Sequence, residues 1–135
     1  MPVILIDANV EGHVAVIRAR LQSAAWHELT IALDVTFQTL RQVGPEPVVS
    51  DAVVWRFCQE HSHYLLTGNR NADSEDSLEV TLRREGSAIS LPVFTLSTPD
   101  RVYHDVAYLE RVVEKLLEHI LCADNILGAG RVYLP

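Results

Sequence analysis

The stretch Val3-Ile4-Leu5-Ile6-Asp7 near the start of the chain indicates the fold. Four apolar residues followed by a carboxylate are typical of a strand in a parallel sheet that is covered on both faces. A similar stretch, His63-Tyr64-Leu65-Leu66-Thr67, continues into Gly68-Asn69-Arg70-Asn71-Ala72-Asp73. Ligands of open α/β sheets bind beyond the carboxyl ends of such strands. We therefore expect Asp7 and the later Asn/Asp cluster to lie at one site, although they are far apart in the sequence.

The composition indicates one domain with a single core. The chain has 135 residues, of which 48% are hydrophobic, and this content argues against disorder. No apolar run reaches the ~18 residues of a membrane span, and no cationic stretch precedes an apolar segment at the N-terminus. Cys58 and Cys122 lie in apolar, helix-like contexts, so we expect reduced core cysteines and a cytoplasmic protein.

The net charge constrains the partners. A formal charge of −7 argues against non-specific adhesion to nucleic acid, because that adhesion comes from cations that meet phosphates. It is compatible with a nuclease, since carboxylates grouped around a divalent metal contribute to such a charge.

Apolar spacing predicts strands that alternate with helices. The predicted strands are residues 3–6, 29–33, 63–67, 91–96 and 131–134. The predicted helices are residues 10–23, 37–43, 50–61, 74–85 and 99–122, with Asn9 and Ser50 as caps and residues 45–47 as a loop. The apolar side chains expected to face inward include Val10, Val14, Ile17 and Leu21 in the first helix, Val53 in the third, and Val106, Leu109, Leu116 and Ile120 in the last. The alternation of strands with helices indicates βαβ units, and hence a mostly parallel sheet with helices on both faces. No Gly-x-Gly-x-x-Gly or Walker-type loop is present, so the usual phosphate cradle of a dinucleotide or an NTP is absent.

Five polar residues are the candidates for a site. Asp7 lies at the predicted rim of a buried sheet, where a carboxylate needs a cation or hydrogen bonds, although a loop brace is the simpler interpretation. Asp51 lies in the first turn of a predicted helix, which the helix dipole alone would explain. Asn69, Asn71 and Asp73 follow the second strand and are common turn residues. Together these side chains offer the oxygen ligands that Mg²⁺ and Mn²⁺ prefer.

Three local patterns resemble the PIN-like family, in particular its short stand-alone members related to toxin ribonucleases and to Mut7-C-like domains. The patterns are Leu5-Ile6-Asp7-Ala8-Asn9, Val49-Ser50-Asp51-Ala52-Val53-Val54-Trp55 and Leu65-Leu66-Thr67-Gly68-Asn69-Arg70-Asn71. Their order and spacing agree with the family over roughly the first half of the chain, whereas the second half matches only in its strand–helix alternation. The resemblance implies a single PIN-like domain over residues 1–135, folded as a three-layer α/β/α sandwich.

The same resemblance implies a function. Active members cleave RNA with Mg²⁺ or Mn²⁺ ions held by acids. By analogy, the catalytic residues are expected to be Asp7, Asp51, Asn69 and Asn71, and the metal ligands Asp7, Asp51 and Asp73. We therefore expect a metal-dependent endoribonuclease of the toxin–antitoxin type, a phosphodiester hydrolase with an antitoxin-like protein partner.

The third pattern departs from that of the catalytic members. Asn69 and Asn71 stand where those proteins usually carry at least one aspartate, and an amide oxygen binds metal without contributing charge. The acids that would restore the charge are Asp73, Glu75, Asp76 and Asp100. If none of them reaches the site, the alternative is a catalytically degenerate PIN-like domain that binds RNA or a protein.

Two further expectations concern other functions and assembly. A response-regulator-like module is least favoured, because it would need adjacent acids after the first strand and a lysine late in the sheet, whereas Lys115 lies within a predicted helix. A homodimer is expected from the long amphipathic C-terminal helix and from aromatics that would be exposed, namely Trp26, Trp55 and Tyr108.

Overall fold

The computed structural model of this chain describes residues 2–43, 51–68 and 78–135. Within them, five strands form one parallel sheet in the order 2-1-3-4-5. The strands are β1 (Val3–Ile6), β2 (Thr36–Thr39), β3 (His63–Thr67), β4 (Val93–Leu96) and β5 (Arg131–Leu134). The helices are α1 (Glu11–Leu21), α2 (His27–Leu33), α3 (Leu40–Val43), α4 (Asp51–His61), α5 (Leu78–Glu85) and α6 (Val106–Leu121). Short 3-10 turns cover Ala8–Val10, Pro99–Tyr103 and Ala123–Asn125.

Helices pack on both faces of the sheet, so the expected three-layer α/β/α sandwich is confirmed. Because side chains alternate along a strand, the strands β1, β3 and β4 each contribute to two cores. The larger core lies under α1 and α6 and includes Ile4, Leu66 and Phe94. The smaller core lies under α4 and α5 and includes Leu5 and Leu65. We call these two sides of the sheet the α1 face and the α4 face.

The apolar stripe predicted for the first helix lies against the α1 face. Val10, Val14, Ile17 and Leu21 are at most 2% exposed, as expected for side chains spaced three and four residues apart on one side of a helix. Asn9 does not cap this helix as its position suggested: Val10 occupies the cap position, with no side-chain hydrogen bond.

The second strand is displaced from its predicted position. Residues 29–33 belong to α2 rather than to a strand, and β2 lies in the segment that was predicted to be helical. Helix α2 ends at Asp34, which adopts a left-handed conformation with φ of 54°. A short apolar run does not distinguish a strand from a helix by periodicity, and β2 is a half-buried edge strand that pairs only with β1 among the described residues.

The last predicted helix is two separate elements. The 3-10 turn Pro99–Tyr103 ends at His104, and α6 begins again after Asp105, whose Oδ1 accepts a hydrogen bond from the N–H of Tyr108 at 3.0 Å. This side-chain cap starts a new helix. Val106, in its first turn, is 66% exposed instead of lying in the apolar stripe.

Other details of burial differ from the sequence predictions. Val53 was expected to face inward but is 39% exposed, and Cys122 is exposed whereas Cys58 is buried. The predicted loop at residues 45–47 and the predicted cap Ser50 lie outside the described residues.

Candidate functional site

The candidate site lies where β1 and β3 end side by side. The two strands are paired in register, with Ile6 opposite Leu66, and the N–H of Asp7 donates to the carbonyl oxygen of Leu66 at 3.0 Å. Asp7 therefore extends the ladder by one residue. In the strand order 2-1-3-4-5, the chain leaves β1 and β3 toward opposite sides of the sheet, and the crevice between them is the usual ligand position.

Strand alternation directs Asp7 to the α4 face. Leu5 and Leu65 lie on that face, so the residues two positions later, Asp7 and Thr67, face the same way. The Oγ1 of Thr67 donates a hydrogen bond to Oδ2 of Asp7 at 2.7 Å. Because Thr67 is fully buried, this bond holds one carboxylate oxygen of Asp7 in a defined position.

Helix α4 brings Asp51 to the same crevice. Val54, Trp55 and Cys58 pack into the smaller core and set the position of the helix, so its first residue, Asp51, lies above the ends of the strands. The Oδ2 of Asp51 accepts a hydrogen bond from the N–H of Leu78 at 3.3 Å. Asp51 therefore links the start of α4 to the start of α5.

The surroundings of Asp7 disfavour its negative charge. Burial is the largest cause and raises the pKa of Asp7, the hydrogen bond from Thr67 lowers it, and the negative charge of Asp51 raises it further. The N–H groups of Ala8 and Asn9 lower the pKa by smaller amounts, and the net pKa lies above the ordinary value. A bound cation would offset both the burial and the repulsion by Asp51.

Cys58 lies beneath this pair of acids and does not act as a nucleophile. Burial, together with the nearby charge of Asp7, raises the pKa of the Cys58 thiol to about 12. Since the reactive form of cysteine is the thiolate, Cys58 is an inert core residue at neutral pH.

The structure brings together only some of the predicted site residues. Asp7 and Asp51 lie near enough for the charge of Asp51 to raise the pKa of Asp7. Asn69, Asn71 and Asp73 lie outside the described residues, and so do Glu75 and Asp76.

Asp100 lies at the same end of the sheet but on the other face. Its side chain is 84% exposed, and its Oδ1 lies 2.8 Å from Nε2 of His13 on α1. No sequence pattern singles out His13. The hydroxyl of Thr67 was likewise assigned no role from the sequence, although a hydroxyl at the last position of an apolar strand was a usable signal.

The donor set fits a hard divalent cation in part. The carboxylates of Asp7, after β1, and Asp51, at the start of α4, are oxygen ligands of the kind that Mg²⁺ and Mn²⁺ prefer. Across residues 2–43, 51–68 and 78–135, however, no three His, Cys, Asp or Glu side chains lie close enough together to hold a metal ion. Within the described residues, Asp7 and Asp51 are thus two candidate ligands.

The strand order is also that of response regulators, so the order alone does not separate a nuclease from such a module. A response-regulator-like module is expected to carry a lysine late in the sheet, and this chain has one lysine. The ammonium of Lys115 lies on α6, 3.3 Å from the carboxylate of Glu118, instead of following a strand at the site.

In the part of the chain that the structure describes, no helix has the length and apolar character needed to cross a membrane. No protein-family model, curated protein or solved structure matches the chain. Function therefore has to be inferred from the residues themselves.

Proposed function

We propose that this chain is a Mg²⁺- or Mn²⁺-dependent ribonuclease of the PIN-like type, acting in the cytoplasm as part of a toxin–antitoxin pair. One observation carries the proposal. Asp7 and Asp51 come from separate elements, yet the negative charge of Asp51 is near enough to raise the pKa of Asp7. Natural chains rarely hold two acids together in a partly buried crevice unless a cation or a proton compensates.

In this proposal each residue has a distinct role. Asp7 and Asp51 hold the metal ion, and Thr67 orients Asp7 through its hydrogen bond. When bound, the ion supplies positive charge that activates a water molecule and stabilises the oxygen that leaves phosphorus. The resemblance assigns the remaining ligands to Asp73 and to the neutral Asn69 and Asn71, so we expect weak metal binding and slow cleavage.

A second candidate function rests on those two asparagines. A catalytic site with two ions about 4 Å apart needs several carboxylates to hold them. The amides at Asn69 and Asn71 remove negative charge from the motif that usually supplies it. A degenerate PIN-like domain that binds RNA or a protein partner without cutting is therefore the alternative.

The first experiment measures metal binding. Calorimetry with Mn²⁺ is expected to show binding to the wild type and none to Asp7→Asn. Thr67→Val should weaken the affinity by about 10- to 100-fold, the usual effect of losing a group that orients a metal ligand. The matched control is Asp124→Asn, because Asp124 is exposed and its charge acts on Tyr64 near the start of β3, at the opposite end of the sheet. Equal binding to wild type and Asp7→Asn would exclude Asp7 as a ligand.

The second experiment measures cleavage. Single-turnover incubation with a mixed RNA pool and Mn²⁺ is expected to give slow cutting that EDTA stops and that Asp7→Ala abolishes. Restoring charge with Asn69→Asp or Asn71→Asp should raise the rate. If the wild type does not cleave RNA and neither substitution produces cleavage, the degenerate alternative is favoured. Cleavage that resists EDTA would contradict the proposed chemistry.

A further inference from the structure

A cleft lies on the α4 face, beside the edge of the sheet that β5 forms among the described strands. The connection from β3 to β4 runs through α5 on this face, whereas the connection from β4 to β5 runs through α6 on the opposite face. In the described parts of the chain, α5 is therefore the last helix on the α4 face, and no further helix covers β5 there.

The cleft has the size of a small-molecule site. Its volume is about 480 Å³, within the roughly 300–1,000 Å³ that is usual for such sites. It is lined by Trp55 of α4, by Leu82 and Arg83 of α5, by Arg131 of β5, and by residues of the loops that precede β4 and β5. We call it the α5–β5 cleft. An inorganic ion would fill only a small part of this volume, so the ligand that matches it is an organic molecule.

Part of the lining of the α5–β5 cleft is apolar. Trp55 belongs to the smaller core, and Leu82 packs against the same core. Ala88 and Ala129 contribute to the lining from the two loops. A ligand with an apolar body would bury that body against these side chains, which is how most small-molecule sites gain affinity.

Trp55 also brings a buried hydrogen-bond donor to the cleft. Its side chain is in a residue only 4% exposed, and its Nε1 has no hydrogen-bond partner among the described residues. The indole N–H of Trp26, in contrast, donates to Glu110 at 2.8 Å. A buried donor without a partner costs free energy, and an indole N–H can only donate. Because Trp55 lines the cleft, an acceptor on a bound ligand would satisfy it.

The charged residues that line the cleft favour an anion. The guanidinium of Arg131 donates from Nε to Oε1 of Glu79 at 2.5 Å and from Nη1 to Oγ1 of Thr95 at 2.6 Å. Glu79 is therefore already compensated by Arg131. Arg83 is exposed and forms no ion pair with another described residue. Two arginines against one glutamate leave one positive charge at the cleft, on a chain whose net charge is −7.

We infer that the α5–β5 cleft binds a small organic anion, which carries a carboxylate or phosphate group on an apolar body. The oxygens of the anionic group supply an acceptor for Trp55 and pair with the guanidinium of Arg83, while the body lies against Trp55 and Leu82. Arginine binds carboxylates and phosphates alike, through parallel N–H groups. The inference does not rest on the proposed ribonuclease activity, because none of these residues belongs to the candidate metal site.

The first measurement follows the fluorescence of Trp55 in EDTA. The chain has two tryptophans, so a Trp26→Phe background leaves Trp55 as the reporter. The probes are benzoate and phenyl phosphate, with benzyl alcohol and benzylamine as neutral and cationic analogues of similar size. At least one anion should change the emission saturably with a Kd of about 1 mM, as expected for a ligand of so few atoms. The analogues should bind about tenfold more weakly or worse, since they lack a charge-assisted bond to arginine.

The second measurement assigns the anion to Arg83. In the same background, Arg83→Gln should weaken binding of the anionic probe by about tenfold, the usual cost of losing a charged hydrogen bond. It should leave the binding of benzyl alcohol unchanged. The matched control is Arg84→Gln, which should bind like the background protein. Arg84 is the next residue of α5, it is exposed and does not line the cleft, and its charge acts on Glu85.

A third measurement tests the indole N–H. Trp55→Phe keeps an aromatic ring and removes the donor, so calorimetry should show weaker binding of the anionic probe than in wild type. Circular dichroism checks that this core variant is folded. If it is not, Arg83→Gln still decides the question, because Arg83 is exposed and its substitution leaves both cores intact.

The outcomes separate this inference from the proposed nuclease. Asp7→Asn should bind the anionic probe like wild type, and a failure to detect metal binding or RNA cleavage leaves the cleft unaffected. Three results would overturn the inference: no binding of either anion up to about 10 mM, tenfold above the expected Kd; equal affinity for benzyl alcohol; or unchanged affinity in Arg83→Gln. Equal binding of inorganic phosphate would also contradict it, because such an ion has no apolar body.

Discussion

Asp7 shows how much of a residue's chemistry depends on its neighbours. Its position after an apolar strand indicates a carboxylate at the rim of a sheet. Its burial, its hydrogen bond from Thr67 and its repulsion by Asp51 come from segments far along the chain. The sequence made Asp7 a candidate, whereas the fold makes its negative charge costly.

This cost predicts how stability varies with pH. The pKa of Asp7 is raised in the folded chain, mainly by burial, above the ordinary value of 3.8. Such a group favours the folded state fully below its unfolded pKa, and the stability is lost as the pH rises through the folded-state value. Asp7→Asn cannot ionise and keeps an oxygen that accepts from Thr67. It should therefore be more stable than wild type at neutral pH in EDTA.

The measurement is urea unfolding of wild type and Asp7→Asn over a series of pH values. The advantage of the variant should shrink as the pH is lowered toward 3.8, the ordinary value of an aspartate. Asp124→Asn serves as the control for removing an exposed acid. A difference that does not change with pH would show that burial of charge is not its cause.

At the scale of elements, α6 illustrates the limits of an apolar stripe. Periodicity predicted one helix over residues 99–122, but Asp105 caps a new helix after the turn Pro99–Tyr103. The pattern identified most of the inward positions of α6, including Leu109, Leu116 and Ile120. It did not reveal the break between the turn and α6. A cap depends on one side chain and its backbone conformation, and a single residue does not change the apolar spacing.

Two leucines of α6 are expected to respond unequally to the same substitution. Leu116 is fully buried, whereas Leu121, one residue after the stripe ends, is 62% exposed. Leu116→Ala should lower the free energy of unfolding by about 2–5 kcal/mol, since it leaves a cavity. Leu121→Ala should change it by no more than about 0.5 kcal/mol. Chemical denaturation measures both, and similar losses would mean that α6 is not packed as described.

At the scale of the whole molecule, the sequence grounds for a homodimer do not hold. Two of the aromatics that were expected at the surface are buried: Trp55 is 4% and Tyr108 1% exposed. Trp26 is half-buried and its indole N–H donates to Glu110 at 2.8 Å. The apolar stripe of α6 faces the larger core.

The homodimer stays a prediction and would use another surface. Among the described residues, β2 is an edge strand of the sheet, and Ile31 on the neighbouring α2 is 62% exposed. Light scattering is expected to give twice the chain mass of 15.1 kDa for wild type, and Ile31→Arg should shift it toward the monomer. Val106→Arg, at an equally exposed apolar position on α6, is the control. A wild type that stays monomeric at micromolar concentrations would contradict the prediction.

The sequence by itself determined the fold class and the ends of the central strands. Buried parallel strands have to be apolar on both faces, so β1 and β3 stand out from the segments around them. The resemblance of three motifs also paired Asp7 with Asp51. Both the apolar strands and the three motifs can be recognised within short stretches of sequence.

Only the tertiary structure decided the rest. Edge elements such as β2 and α2 are half-exposed, so hydrophobic spacing constrains them weakly and their assignment depends on which neighbour they pair with. The contacts of Thr67 with Asp7, and of Tyr103 with His13, join residues from different elements. Such contacts form because the carboxyl ends of neighbouring parallel strands lie at the same edge of the sheet. No single stretch of sequence encodes which strands are neighbours.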